Sequence, residues 1–467
     1  MGVSLLAGWL PLLVQVVAAA LLVVAIGWRS HRWRILWLPL MVAFGIAVAI
    51  FLHWYVAFEG IANDDFEVMA EAPLPLALWI WIGLAGLAAG VFVVGWRTAQ
   101  WWRRSASVLA VVLCLLTSAL ILNRWVGYFP TVQVAWDQLT GAPLPHEVDQ
   151  ATVSAMQRDR TIPPHGVVVR MDTGSAGSHF DHRGEFVYLP PAWFASNPPP
   201  KLPAVLMIGG VWGTPADWLQ GGGASRTIDD FATAHHGNAP LFVFGDVSGS
   251  FHKDTECVNG PRGNAADHLT KDVVPYVVSH FGVSPDSTNW GAVGWSMGGT
   301  CAVNLTVMHP ELFSTFVDVA GDEFPNVGDD VQTTERLFGG NADAYAAFNP
   351  RLVMINHGPY VGVSGWFSPP PYTDINDSDP HNGSTGIKKL QNAAHRLCAR
   401  ATKESISCAV VPITGSHTLV GAGRVLAMSL PWLAGQLGTP EVPRISLPEV
   451  SWFGDFAGTR FPRAGFR

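Results

Sequence analysis

The chain has 467 residues, 49% of them hydrophobic and 14% charged, with 28 Lys and Arg against 36 Asp and Glu for a net charge of −8. Such a length exceeds the roughly 100–200 residues of one domain, so at least two structural units are expected. A charge content well under the soluble norm of about 25% excludes a wholly soluble, disordered or coiled-coil chain. The negative balance argues against a nucleic-acid partner, since neutralising phosphates needs a basic face.

Four apolar runs open the chain: Val3–Trp28, Ile35–Phe58, Ala72–Trp96 and Ser105–Asn123. At 1.5 Å per residue such runs reach about 28–39 Å, enough to cross a hydrocarbon core of about 30 Å. We read residues 1–124 as four transmembrane helices. The first run is not a cleavable signal, because it lacks a basic start and ends in Trp28-Arg29 where small residues would be needed. Eleven of the 20 Trp residues fall within the first 125, many at run ends, which suits the headgroup region. The first loop carries Arg29, Arg32 and Arg34 and the third carries Arg97, Arg103 and Arg104. The second carries Glu59, Asp64, Asp65, Glu67 and Glu71 with no basic residue. Retention of basic loops inside then predicts loops one and three cytoplasmic, loop two external, and everything beyond Arg124 on the outer side of the cell membrane.

Of five cysteines, Cys114 lies in the fourth run, leaving Cys257, Cys301, Cys398 and Cys408 in the exported part. An even number there permits two disulfides in three possible pairings. Cys257–Cys301 and Cys398–Cys408 are the favoured pairs, the second joining a helix end to the next strand.

Residues 125–165, with Pro130, Pro143, Pro145, Pro163 and Pro164 among polar stretches, read as a linker with short helical pieces. From Gly166 short β-rich runs alternate with helical ones. Val167–Met171 and Glu185–Leu189 predict antiparallel opening strands. Ala204–Ile208, Leu241–Phe244, Trp290–Val293, Thr315–Val319, Leu352–Ile355 and Cys408–Ile413 predict further strands. Helical patterns over Ala265–Phe281, Gly298–His309, Ser384–Thr402 and Arg424–Leu437 separate several of them. This alternation implies a mainly parallel sheet flanked by helices over residues 166–440, followed by a tail, 441–467.

The stretch Gly294-Trp295-Ser296-Met297-Gly298 places G-x-S-x-G after an apolar strand and before a helical run. In that setting the serine is raised on a tight, strained turn at the carboxyl end of the sheet, and Ser296 is the candidate nucleophile. A hydroxyl needs a base, expected later in the chain. His417, in Gly415-Ser416-His417-Thr418 between the last strand and the last helix, is the first choice among 16 histidines, and His357 the second. The acid that orients it should lie in the segment Asp374-Ile-Asn-Asp377-Ser-Asp379-Pro380, where spacing does not separate the three. An oxyanion hole needs two donors. One is the amide of Met297, and the other belongs to the turn Gly209-Gly210-Val211-Trp212.

Gly282-Val283-Ser284-Pro285, the run Gly294 to Gly299, and His309-Pro310-Glu311-Leu312-Phe313 resemble the α/β-hydrolase esterases of the esterase D and antigen 85 mycolyltransferase group. The likeness covers roughly residues 166–440 and leaves out the membrane part. It implies Ser296 as nucleophile, His417 as base, Asp379 as the acid and Val211 as the first oxyanion amide. The mycolyltransferases carry an Asp-Gly-Leu-Arg turn where this chain has Gly209-Gly210-Val211-Trp212, so sugar specificity does not carry over.

The expected function is thus a membrane-anchored, extracytoplasmic serine esterase acting on acyl esters through an acyl-enzyme, with no cofactor and no metal. The partners expected are an acyl-ester substrate, an envelope lipid or glycolipid among the candidates, and the membrane. Acyl transfer between envelope lipids or sugars is the alternative, and a non-catalytic envelope scaffold is the third reading.

Overall fold

The computed structural model describes residues 2–62, 74–251, 253–370, 384–412 and 417–449. Four long apolar helices come first: α1 (Trp9–Ile26), α2 (Leu38–Ala62), α3 (Leu76–Gly95) and α4 (Trp101–Val126). A π-helical turn, Trp33–Trp37, leads into α2. All four are long and apolar enough to cross a bilayer. Small residues let their backbones approach: a Cβ at Gly86 would come within 3.1 Å of Gly45 Cα, and one at Gly90 within 3.2 Å of Met41. Ala18, Ala25, Ala88 and Ala110 fill the interior, while Leu12, Val23, Phe51 and Val93 face outward. The N-terminus lies at the same end of the bundle as the chain leaving α4, because Leu5 N–H donates to Pro130 O and Val132 N–H to Val3 O.

After the bundle come α5 (Val132–Thr140), the two-residue strand β1 (Glu147–Val148) and α6 (Gln150–Asp159). The stretch expected as a linker therefore contributes an edge to the sheet, with β1 paired to β2 (Val167–Met171). The sheet continues with β3 (Glu185–Leu189), β4 (Ala204–Ile208), β5 (Leu241–Gly245), β6 (Trp290–Trp295), β7 (Thr315–Val319), β8 (Ser364–Ser368) and β9 (Ser407–Val410). Its spatial order is β1-β2-β3-β5-β4-β6-β7-β8-β9. Only β3 runs against its neighbours. Every other pair is parallel, so the loops after β4, β6, β8 and β9 all leave one sheet edge.

Alternation along the strands sends side chains to two cores. Val169, Leu206, Val243, Ala292 and Phe316 pack against α8 (Val274–Phe281), α9 (Met297–Met308) and α11 (Ser384–Lys403). Val168, Val205, Phe242, Val293 and Val317 pack against α7 (Ala224–Ala234) and α12 (Leu419–Gln436). Each fully buried Val, Leu or Phe among them contributes about 1.5–3 kcal/mol. Residues 442–449 continue along this second face, where Val442 and Leu447 pack against the core.

One expectation is corrected. Leu352–Ile355 is not a strand; it lies in α10 (Pro350–His357). The side chain of Asn349 caps this helix by accepting from Arg351 N and Leu352 N, Pro350 occupies its first turn, and Leu352 and Ile355 are exposed. The strand at that point of the sheet is Ser364–Ser368, whose Ser and Gly residues gave it no apolar signature.

Candidate active site

Ser296 joins β6 to α9 with φ 59° and ψ −127°, a conformation that costs about 1–3 kcal/mol and persists only when its surroundings enforce it. Those surroundings are visible. Ser296 N–H donates to Val319 O at 2.8 Å, and Ser296 O accepts from Gly299 N at 2.7 Å. The neighbouring glycines are steric requirements, since a Cβ at Gly294 would collide with the Gly298 carbonyl, and one at Gly298 with the carbonyls of Ile208 and Gly209. Met297 opens α9, so its amide is among the first-turn N–H groups that have no intrahelical acceptor.

The turn after β4 comes up beside the serine. A Cβ at Gly210 would stand 3.2 Å from Ser296 Cβ. Gly213 N–H donates to Gly210 O at 3.0 Å, and Trp212 takes φ 62°, so the peptide around Val211 is fixed by a closed turn.

Two buried carboxylates hold the far end of that turn, and neither was singled out in the sequence. Asp217, 3% exposed, accepts from Thr214 N at 2.7 Å and Thr214 Oγ1 at 2.8 Å. It also accepts from Gln138 Nε2 at 3.2 Å and from Tyr128 Oη at 3.0 Å. Burial raises the Asp217 pKa against these hydrogen bonds. Burial and Asp217 together push the Tyr128 phenol far above its usual range, so it remains a donor. Arg183 Nη2 donates to Gly213 O at 2.7 Å and to Asp246 Oδ1 at 2.6 Å. Against the effect of burial, Arg183 keeps Asp246 below the usual carboxylate range. The contact between Tyr128 and Asp217 spans 89 positions, which no local pattern reveals.

His417 is half-buried, with its ring centroid 5.4 Å from that of Trp295, the residue before Ser296. Burial pushes its imidazole down to about 4, so it is neutral at pH 7 and able to accept a proton. Thr418, next to it, caps α12 by accepting from Gly421 N at 3.2 Å. A Cβ at Gly127, one residue beyond α4, would collide with the Thr418 side chain. His357 ends α10, exposed and stacked on Tyr360 at 4.2 Å, in a helix rather than in a loop after a strand. Asp374, Asp377 and Asp379 follow β8 and lie outside the described residues.

Further acidic groups sit near the serine turn. Asp318, in β7 opposite Gly294, accepts from Gly321 N at 2.8 Å, and burial raises it to about 7. Burial, then Asp254 and Asp322, push Glu256 well above its usual value. Disulfides join Cys257 to Cys301, within α9, and Cys398 to Cys408. Among the described residues one group has donors close enough to share a cation: His182, Glu185 and His268, within 4.8 Å of one another. There His268 already meets Glu185 at 3.1 Å and Asp272 at 3.3 Å, hydrogen bonds that raise its pKa against burial.

Residues 181–322, which include Ser296, match the family described as "Putative esterase". An uncharacterised protein of Corynebacterium glutamicum is 28% identical over 376 residues, covering 78% of this chain and 83% of its own length. That share is more than the chain beyond Val126 supplies, so the likeness reaches into the helical bundle. Among solved structures, a ferulic acid esterase is 18% identical with a TM-score of 0.44, covering 58% of this chain and 98% of its own. An S-formylglutathione hydrolase from Agrobacterium tumefaciens is 16% identical with a TM-score of 0.44, covering 58% of this chain and 99% of its own. MPT51 of Mycobacterium tuberculosis is 16% identical with a TM-score of 0.38, covering 57% and 99%. Residues 181–322, the stretch that carries the serine turn, are thus similar to the esterase family on a mainly parallel nine-stranded sheet.

Proposed function

We propose that the protein is a membrane-anchored serine esterase whose hydrolase domain lies outside the cytoplasm, with Ser296, His417 and Asp379 as its triad. Ser296 Oγ attacks the ester carbonyl while neutral His417 takes its proton. The amides of Met297 and Val211 stabilise the developing oxyanion. Collapse expels the alcohol, which receives the proton from His417, and leaves an acyl-enzyme on Ser296. Water, activated by the same histidine, then releases the acid. Asp379 orients His417 and stabilises its charged form, with Asp377 and Asp374 as the alternatives. The observation that carries this reading is the φ 59° serine with the Gly210 turn against it and the His417 ring beside Trp295.

The membrane part of the proposal rests on four apolar helices, on arginines gathered in loops one and three, and on two disulfides, which persist in oxidising compartments. The contacts of Gly127 with Thr418 and of Tyr128 with Asp217 support a substrate class as well. They put the exit of the fourth helix against both the base loop and the oxyanion turn, which favours acyl esters carried by lipids or glycolipids at the membrane surface. Purified full-length protein in detergent, assayed on short and long acyl esters, tests the chemistry. Ser296→Ala and His417→Ala are expected to lose about 10⁴–10⁶ in kcat. Near-normal turnover by Ser296→Ala would defeat the proposal. Product analysis with added alcohols separates hydrolysis from acyl transfer.

A further inference from the structure

At the end of the bundle away from the hydrolase domain, an open cavity of about 1110 Å³ lies between the first and third loops. Arg29, Arg32, Arg97 and Arg103 line it with Trp33 and Trp96, and its lining includes no Asp or Glu. Two of these arginines are built into the packing. A Cβ at Gly27 would come within 2.5 Å of Arg103 Nη1, and one at Gly95 within 2.6 Å of Arg29 Nη1, so each glycine leaves room for a guanidinium from another helix connection. Arg29 stacks over Trp33 at 4.0 Å and donates from Nη2 to Ala25 O at 2.9 Å.

Four buried donor atoms there are unsatisfied. Arg29 Nε and Nη1, Arg103 Nε and the indole Nε1 of Trp33 are all buried without a hydrogen-bond partner, and Trp33 is 5% exposed. Burying a charged donor unpaired is costly, and two guanidinium groups side by side also repel each other. The arrangement becomes favourable when an anion with several acceptor oxygens enters. A phosphate group fits: it pairs with arginine in the fork geometry and leaves oxygens for an indole N–H. The cavity opens beside the apolar outer faces of the helices, where Val93 and Trp96 are exposed. A phosphate held there can keep its acyl chains in the bilayer.

We infer that this cavity is a binding site for the phosphate of an anionic phospholipid headgroup, held by Arg29, Arg103 and the Trp33 indole. The inference rests on the reading that the four helices span a membrane with loops one and three inside. Bound lipid there would lock the connections α1–α2 and α3–α4 together.

The test uses the full-length protein in nonionic detergent, with native mass spectrometry and thermal unfolding. Probes are phosphatidylglycerol, phosphatidylcholine and inorganic phosphate. Phosphatidylglycerol is expected to bind at least about tenfold more tightly than phosphatidylcholine and to raise the melting temperature. Arg29→Gln/Arg103→Gln is expected to lose that preference, while Arg34→Gln, a charge at the same end but outside the cavity, keeps it. Without lipid the double variant is expected to melt no lower than wild type, because it has shed two like charges placed side by side. Should it fail to fold, Arg103→Gln alone is read in the same assay. Stabilisation by inorganic phosphate equal to that by phosphatidylglycerol would support the phosphate site and assign it a soluble source. Equal binding of the two lipids, or an unchanged preference in the double variant, would overturn the inference. Release of the protein from membranes by alkaline carbonate would instead defeat the membrane reading.

Discussion

Replacing Asp217 with Ala removes the acceptor that anchors the turn after β4, the proposed oxyanion turn, at Thr214. The carboxylate holds Thr214 N–H at 2.7 Å, Thr214 Oγ1 at 2.8 Å, Tyr128 Oη at 3.0 Å and Gln138 Nε2 at 3.2 Å, in a site where its own exposure is 3%. Leaving two or three of these donors buried and unpaired costs about 1–3 kcal/mol each, so a total loss of about 2–9 kcal/mol in stability is expected. Thr214 follows the Gly210–Gly213 turn directly, so its release loosens the turn that stands beside Ser296 and with it the proposed Val211 donor. Loss of one oxyanion donor lowers kcat by about 10²–10³-fold, and the folded fraction of Asp217→Ala should approach that range. KM for a short acyl ester should change little, because the donor acts on charge that develops only in the transition state. Tyr128→Phe leaves both Thr214 contacts in place and should cost about 1 kcal/mol in stability, with kcat per folded molecule little changed. The assay is turnover of a chromogenic short-chain ester by full-length protein, normalised to the folded fraction from circular dichroism. Wild-type kcat per folded Asp217→Ala molecule would refute the reasoning.

Three further outcomes are expected. The free-enzyme pH profile of kcat/KM should fall on acidification, because His417 must be neutral; burial lowers its pKa and the proposed carboxylate partner raises it again, so the midpoint should move to lower pH in Asp379→Asn. A midpoint unchanged in that variant would contradict the pairing. Gly298→Ala drives a methyl against the carbonyls of Ile208 and Gly209, so thermal unfolding should show a loss of more than about 2 kcal/mol along with most of the esterase activity. Asp379→Asn should lower kcat by about 10⁴ with the fold intact, and a larger loss in Asp377→Asn or Asp374→Asn would move the acid to that residue.

What the sequence made legible follows from the range of the interactions involved. The four long apolar helices are read from run length, and the structure shifts their ends by about six residues at most, as in Ser105–Asn123 against Trp101–Val126. The serine turn was legible because strand, turn and helix follow one another in the sequence and Gly294 answers to a contact within the turn, the Gly298 carbonyl. Leu352–Ile355 misled because four apolar residues fit a strand or a helix equally, and the deciding residues were the cap Asn349 and Pro350 just before them. Ser364–Ser368 escaped because a buried parallel strand can be made of Ser, Gly and aromatics once both its neighbours are in place. The edge strand Glu147–Val148 escaped as well, since two residues carry no period. The partnerships of Tyr128 with Asp217 and of Arg183 with Asp246 join residues 89 and 63 positions apart, and only the folded chain brings them together.

The central claim is that Ser296 is an activated nucleophile, and covalent labelling tests it most directly. Folded full-length protein treated with a fluorophosphonate and mapped by peptide mass spectrometry should carry one adduct, on Ser296. Labelling should be abolished by heat denaturation and strongly slowed in His417→Ala. An unlabelled Ser296 in folded protein, or an adduct on another serine, would contradict the account.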